Sequence, residues 1–192
     1  QELVRYWRDE YDWQRVPSLL NQYDNFITEI EGIKIHFLHI RSPHTQAQPL
    51  LITHGWPGSV LEFLDIIGPL SDPTQHGGDA TNAFHLVIPS LPGFGFSGQP
   101  TSPGVGVGRI AALWDQLMLR LGYERYIAQG GDWGSLVTHA VLLHPHTHCL
   151  AGHVNLPMVV PDELTMSGSD PAEQPTLAAA MHYQDHESGY SK

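Results

Sequence analysis

Tyr126-Ile127-Ala128-Gln129-Gly130-Gly131-Asp132-Trp133-Gly134-Ser135-Leu136-Val137-Thr138-His139-Ala140 is the stretch whose reading decides the rest of the chain. Its opening residues predict a short buried strand, and the residues after Gly134 have helical character. Between them Asp132 is flanked, two positions either side, by Gly130 and Gly134. That is the spacing of a nucleophile elbow, Gly-x-nucleophile-x-Gly, with aspartate where serine more often stands. The turn is tight, and residues without a Cβ let strand and helix approach each other.

An aspartate at that position selects a chemistry. A carboxylate attacking a saturated carbon forms an ester, which water can later cleave at its carbonyl. A serine in the same attack would leave an ether, and a carboxylate attacking an ester or amide would give an anhydride. The expected electrophile is therefore an epoxide or an alkyl halide. Cleavage of the ester builds an oxyanion on the Asp132 carboxyl itself, so two backbone N–H donors are expected beside it. One is Trp133; the other is Trp56, in the loop His54-Gly55-Trp56-Pro57 that follows an earlier strand. Both tryptophans are expected to line a pocket. His54 is read as a brace for its loop rather than as the catalytic base, and Gly55 and Pro57 as parts of that loop.

Working outward, Leu50 to Thr53 and Phe84 to Ile88 predict short strands, each ending in a Gly/Pro-rich loop. Val60 to Ile67 predicts a helix stopped by Gly68-Pro69, and 107 to 121 one with Ile110, Leu113, Leu117 and Leu121 on a single face. A further strand is expected near Leu150 to Leu156. Upstream, Ile33, Ile35, Phe37 and Ile40 alternate with Lys34, His36 and His39 behind a turn at Glu31-Gly32, the pattern of a hairpin. Leu3, Tyr6, Trp7, Glu10 and Tyr11 recur at helical spacing. Strands alternating with helices predict an α/β protein with a mostly parallel sheet. After Pro157 the composition shifts to Pro, Ser, Gly and acidic residues, followed by a helix at about 177 to 187, as expected at the start of an inserted cap.

The bulk properties fit such an enzyme. The chain has 192 residues, 41% hydrophobic and 15% charged, which suits a globular core and not a disordered chain. A formal charge of −11 leaves no basic stripe to meet nucleic acid. The single cysteine, Cys149, excludes an intrachain disulfide and suits a reducing compartment. With no apolar run long enough for a bilayer, the expectation is a soluble cytoplasmic protein, with an anchor upstream of Gln1 left open because the chain begins without methionine. His144, His146, His148 and His153 lack the spacing of a zinc site, so no metal is expected.

Three motifs taken together, His54-Gly55-Trp56-Pro57-Gly58-Ser59, Leu91-Pro92-Gly93-Phe94-Gly95-Phe96-Ser97 and Gly130-Gly131-Asp132-Trp133-Gly134-Ser135, resemble the epoxide hydrolases of the α/β-hydrolase superfamily. Trp7 to Trp13 and Thr28 to Phe37 resemble the N-terminal meander of the microsomal-type branch, which includes soluble fungal and insect juvenile-hormone enzymes. The resemblance implies an α/β-hydrolase fold divided into a meander (1–48), the first half of the core (49–156) and the beginning of a cap (157–192). It implies hydrolysis of epoxides to vicinal diols with water as co-substrate and no cofactor. It also implies a pair of cap tyrosines that protonate the epoxide oxygen. Glu187-Ser188-Gly189-Tyr190 resembles the segment holding the first of them, so the role falls on Tyr190, with Tyr183 as the fallback donor. The histidine, charge-relay acid and second tyrosine that the family places after the cap are not matched within the 192 residues, so the chain is expected to be truncated. A haloalkane dehalogenase using the same aspartate, or a fragment without turnover, are the competing expectations; a homodimer stays open.

Overall fold

The computed structural model describes residues 1–157, 172 and 174–186. The chain divides into two compact units, Gln1–Pro157 and Met158–Lys192. Of the second, the helix Gln174–His186 is described, with Tyr183 exposed on it; Tyr190 lies outside the described residues.

The first unit is built on one six-stranded sheet. In chain order its strands are β1 (Asn25–Ile30), β2 (Ile33–Ile40), β3 (Gln48–Thr53), β4 (Phe84–Pro89), β5 (Tyr126–Gly130) and β6 (Cys149–Val154). In space they run β1-β2-β4-β3-β5-β6, with β1, β2 and β4 joined antiparallel and the remaining pairs parallel. The expected hairpin is present: Ile30 pairs with Ile33 across Glu31-Gly32, and both turn residues have positive φ, +51° and +80°. That geometry matches the twist of the flanking strands.

The helices cover the sheet on both sides. On one side α4 (Val107–Arg120) and α5 (Trp133–Leu143) bury Leu113, Trp114, Leu117, Val137 and Val141. On the other, α3 (Leu64–Ser71), with α2 (Arg15–Leu20), closes over Leu38, Ile52, Leu86 and Ile88. Because both faces are covered, the alternation in β2 does not mark a wet face: His36 and His39 are buried along with Ile35, Phe37 and Leu38. His36 is tolerated there because both ring nitrogens are bonded, Nε2 to Asn25 Oδ1 and Nδ1 to Ser90 Oγ, each at 2.9 Å.

Two expectations are corrected. The helix predicted to stop at Gly68-Pro69 runs through both to Ser71, after a 3-10 turn at Val60–Phe63. Proline's fixed φ is itself helical, and the lost N–H is outweighed by packing of Ile67 and Leu70 on the sheet. Gly68 serves close approach, since a Cβ there would lie 2.8 Å from His76 Nε2. The helical spacing read through Tyr11 ends earlier, with α1 at Glu2–Asp9 and none of its residues buried. The Trp13 indole N–H donates to the Trp7 carbonyl at 2.9 Å, and Tyr6, Trp7, Tyr11 and Trp13 stack edge to face where the chain turns back.

Candidate active site

The elbow forms as its spacing predicts. β5 ends at Gly130, α5 begins at Trp133, and Asp132 between them has φ +51° and ψ −126°. A residue with a Cβ seldom adopts that backbone, and strain of this kind persists only where the surroundings over-determine it. Here they do. A Cβ on Gly130 would run into the Gly134 carbonyl, and one on Gly134 into the carbonyls of Thr53 and His54. The strand, the helix and the end of β3 therefore meet with no side chain between them.

That closeness brings the second loop to Asp132. The Trp56 backbone N–H donates to Asp132 Oδ1 at 2.8 Å. Gly55 leaves the carboxylate room, since a Cβ there would lie 2.5 Å from both Cβ and Oδ1 of Asp132. Oδ2 takes no hydrogen bond from a described residue. The other expected donor, the Trp133 amide, stands at the first position of α5, where a helix leaves its N–H groups without intrahelical partners; it is not bonded to Asp132.

His54 is fully buried and holds the loop from behind. Its Nδ1–H donates to the Gly55 carbonyl at 2.9 Å, and Nε2 accepts from the Leu91 N–H at 3.1 Å. Those two bonds require the neutral ring with its proton on Nδ1. Burial also holds the ring's pKa below the ordinary histidine value. With both nitrogens committed, His54 is a brace between the loops after β3 and β4. Thr53, at the tip of β3, is pinned in turn by the Trp114 indole N–H at 3.1 Å.

Trp56 and Trp133, respectively 49% and 40% exposed, flank Asp132 and line a cavity of about 230 Å³ together with Phe94, Val107, Ile110 and Val137. Larger grooves of about 610 and 590 Å³ exist, but neither has Trp56 or Trp133 in its lining; Asp132 itself lines none of the three. Ile110 reads in the sequence as part of one helix face with Leu113, Leu117 and Leu121; only the meeting of α4 with the elbow makes it and Val107 line the cavity. The sequence reading also passed over Asn155, which follows β6 and whose side chain lies against Gly131.

Elsewhere, the rings of His144 and His146 lie 6.4 Å apart, edge to face. His148 Nδ1 turns to Asp115 Oδ2 at 2.9 Å, at the far end of β5 and β6 from the elbow. Among the described residues no three of His, Cys, Asp and Glu gather as a metal site would require. No described helix is long and apolar enough to cross a membrane.

The sequence matches two families, one described as epoxide hydrolase N terminus over residues 1–63 and one as alpha/beta hydrolase fold over residues 48–177. A Stigmatella aurantiaca protein provisionally named epoxide hydrolase is 53% identical over 191 residues, covering 99% of this chain and 43% of its own length. Epoxide hydrolase 1 of Oryctolagus cuniculus is 40% identical over 172 residues, covering 87% and 38%. Of solved structures, Aspergillus niger epoxide hydrolase superposes with a TM-score of 0.73 at 37% identity, over 97% of this chain and 48% of that one. Juvenile hormone epoxide hydrolase from the silkworm Bombyx mori gives 0.72 at 37%, over 80% and 40%. The resemblance read from the loops and the meander holds, and the chain spans less than half the length of these relatives.

Proposed function

We propose that this chain, which belongs to the α/β-hydrolase fold family and begins with the epoxide hydrolase N terminus, opens epoxides with Asp132 as the nucleophile. The observation that carries the reading is the Trp56 N–H on Asp132 Oδ1 at 2.8 Å, which leaves Oδ2 clear of described hydrogen bonds. Oδ2 attacks an epoxide carbon, a C–O bond forms, and the ring C–O bond breaks with its electron pair staying on the ring oxygen. That oxygen takes a proton, for which Tyr190 is the proposed donor. Water then adds to the ester carbonyl, the charge develops on the oxygen facing Trp56 and Trp133, and the vicinal diol leaves as the carboxylate re-forms. The start of α5 adds the positive end of a helix dipole at that oxygen.

In this reading residues 1–48 serve as the meander, 49–156 as the first part of the core and 157–192 as the beginning of a cap. Resolving the ester calls for a base beside the carboxyl carbon, and no histidine within residues 1–157 is bonded to Asp132; His54 is committed to Gly55 and Leu91. The relatives reported above carry epoxide hydrolase names and none a dehalogenase one.

Incubation with styrene oxide followed by intact mass spectrometry and peptide mapping tests the reading. One epoxide mass added at Asp132, absent from a folded Asp132→Asn variant, or diol release that the variant lacks, supports it. A folded protein that gives neither, or an adduct that persists in Asp132→Asn, overturns it.

A further inference from the structure

We propose that the cavity beside Asp132 receives the substituent of the epoxide and that Ile110 sets the largest group it accepts; this rests on the reading of Asp132 as the nucleophile. The cavity, half open to solvent, has a volume of about 230 Å³. Its lining includes the two half-exposed tryptophans, the one whose amide holds the carboxylate and the one that follows it in the chain. Its lining also includes Val137, 1% exposed, and the partly buried Ile110, Val107 and Phe94, which pack against the core under α4 and α5. A substituent seated beside the tryptophans therefore meets side chains whose packing on that core restricts their movement.

Size follows from volume. An apolar cavity of about 150 Å³ holds the six carbons of benzene, so one of this size holds about nine. A phenyl or branched alkyl substituent fits within that volume, and a naphthyl group exceeds it. The walls offer no charged side chain, so a charged substituent would be desolvated without a partner. Of the wall residues, Val137 stands one turn after Trp133 on the elbow helix, and changing it disturbs the nucleophile. Ile110 comes from the other helix, α4, so it meets the substituent without supporting the elbow.

The test uses three epoxides bearing methyl, phenyl and naphthyl groups, with reaction followed by epoxide loss and by alkylation of Asp132. Shortening the wall in Ile110→Ala raises the naphthyl-to-phenyl rate ratio by about tenfold or more, and Ile110→Phe lowers the phenyl-to-methyl ratio by about as much. Val107→Ala, which shortens a second residue of the lining, shifts the first ratio in the same direction should the Ile110 variants fold poorly. Ile27→Ala, in the separate groove between α2 and Phe96, leaves both ratios unchanged. Folded Ile110 and Val107 variants with unaltered ratios, or an Ile27→Ala shift equal to theirs, overturn the size filter while leaving the nucleophile in place. No reaction with any of the three overturns the nucleophile reading, and the size filter with it.

Discussion

Trp56 and Asp132 are 76 positions apart in the chain, and a 2.8 Å hydrogen bond joins the amide of one to the carboxylate of the other. The bond exists because β3 and β5 are parallel neighbours whose C-terminal ends deliver both loops to the same edge of the sheet, with Thr53 paired to Gly130. Sites in open α/β sheets collect at that edge.

Gly55 is the residue whose replacement separates geometry from fold. A methyl group there meets the Asp132 side chain at 2.5 Å, so Gly55→Ala should push the carboxylate off the Trp56 amide. Displacements of this size cost on the order of 100-fold in rate. The expected outcome is Asp132 alkylation slowed by about that factor with the thermal melt little changed.

Two glycines on neighbouring helices should respond in opposite directions. Gly134→Ala drives a Cβ into the Thr53 carbonyl and should destabilise by about 1–3 kcal/mol or more, as overpacking does. Gly108, in the first turn of α4, has open space where a Cβ would go. Alanine there should add about 0.5–1 kcal/mol through helix propensity. Urea unfolding of the two variants checks both signs.

Acidification should act through His54. Burial holds its folded pKa below the ordinary value, partly offset by the bond to Gly55, so the folded state favours the neutral ring. The stability this contributes is fully present above the unfolded value of about 6.5 and is lost as pH falls from there through the folded value. His36 and His39 are lowered by burial in the same way. The urea midpoint should drop between about pH 7.5 and about pH 5.5, and drop less in His54→Gln, which cannot gain a proton.

Asp115 is the buried anchor away from the site. It accepts from the Tyr126 hydroxyl at 2.8 Å, from the His148 amide at 2.9 Å and from its ring at 2.9 Å, tying α4 to the starts of β5 and β6. Burial by itself would push the carboxyl up, but these bonds outweigh it and hold Asp115 below its usual range. Its contribution is present above the unfolded value of about 3.9 and lost as pH falls through the folded one. Asp115→Ala strands the Tyr126 hydroxyl, 1% exposed, and should cost about 2–4 kcal/mol, against about 1 for Tyr126→Phe. Equal losses in denaturant unfolding would mean that the His148 arm contributes nothing.

What the sequence determined by itself was local. The elbow, the Glu31-Gly32 hairpin and the strand–helix alternation are legible because turn chemistry and side-chain period act over a few neighbouring residues. The same short range explains the misreadings. Gly68-Pro69 looks like a stop until Ile67 and Leu70 are seen packed on the sheet, and the helical spacing through Tyr11 does not show that α1 ends at Asp9. Only the tertiary structure decided that Trp56 rather than Trp133 is the donor bonded to Asp132, that His54 is spent on Gly55 and Leu91, and that Ile110 is a wall of the cavity. Each of those depends on strand order, and strand order is chosen by long-range burial of apolar faces, which no local window of residues contains.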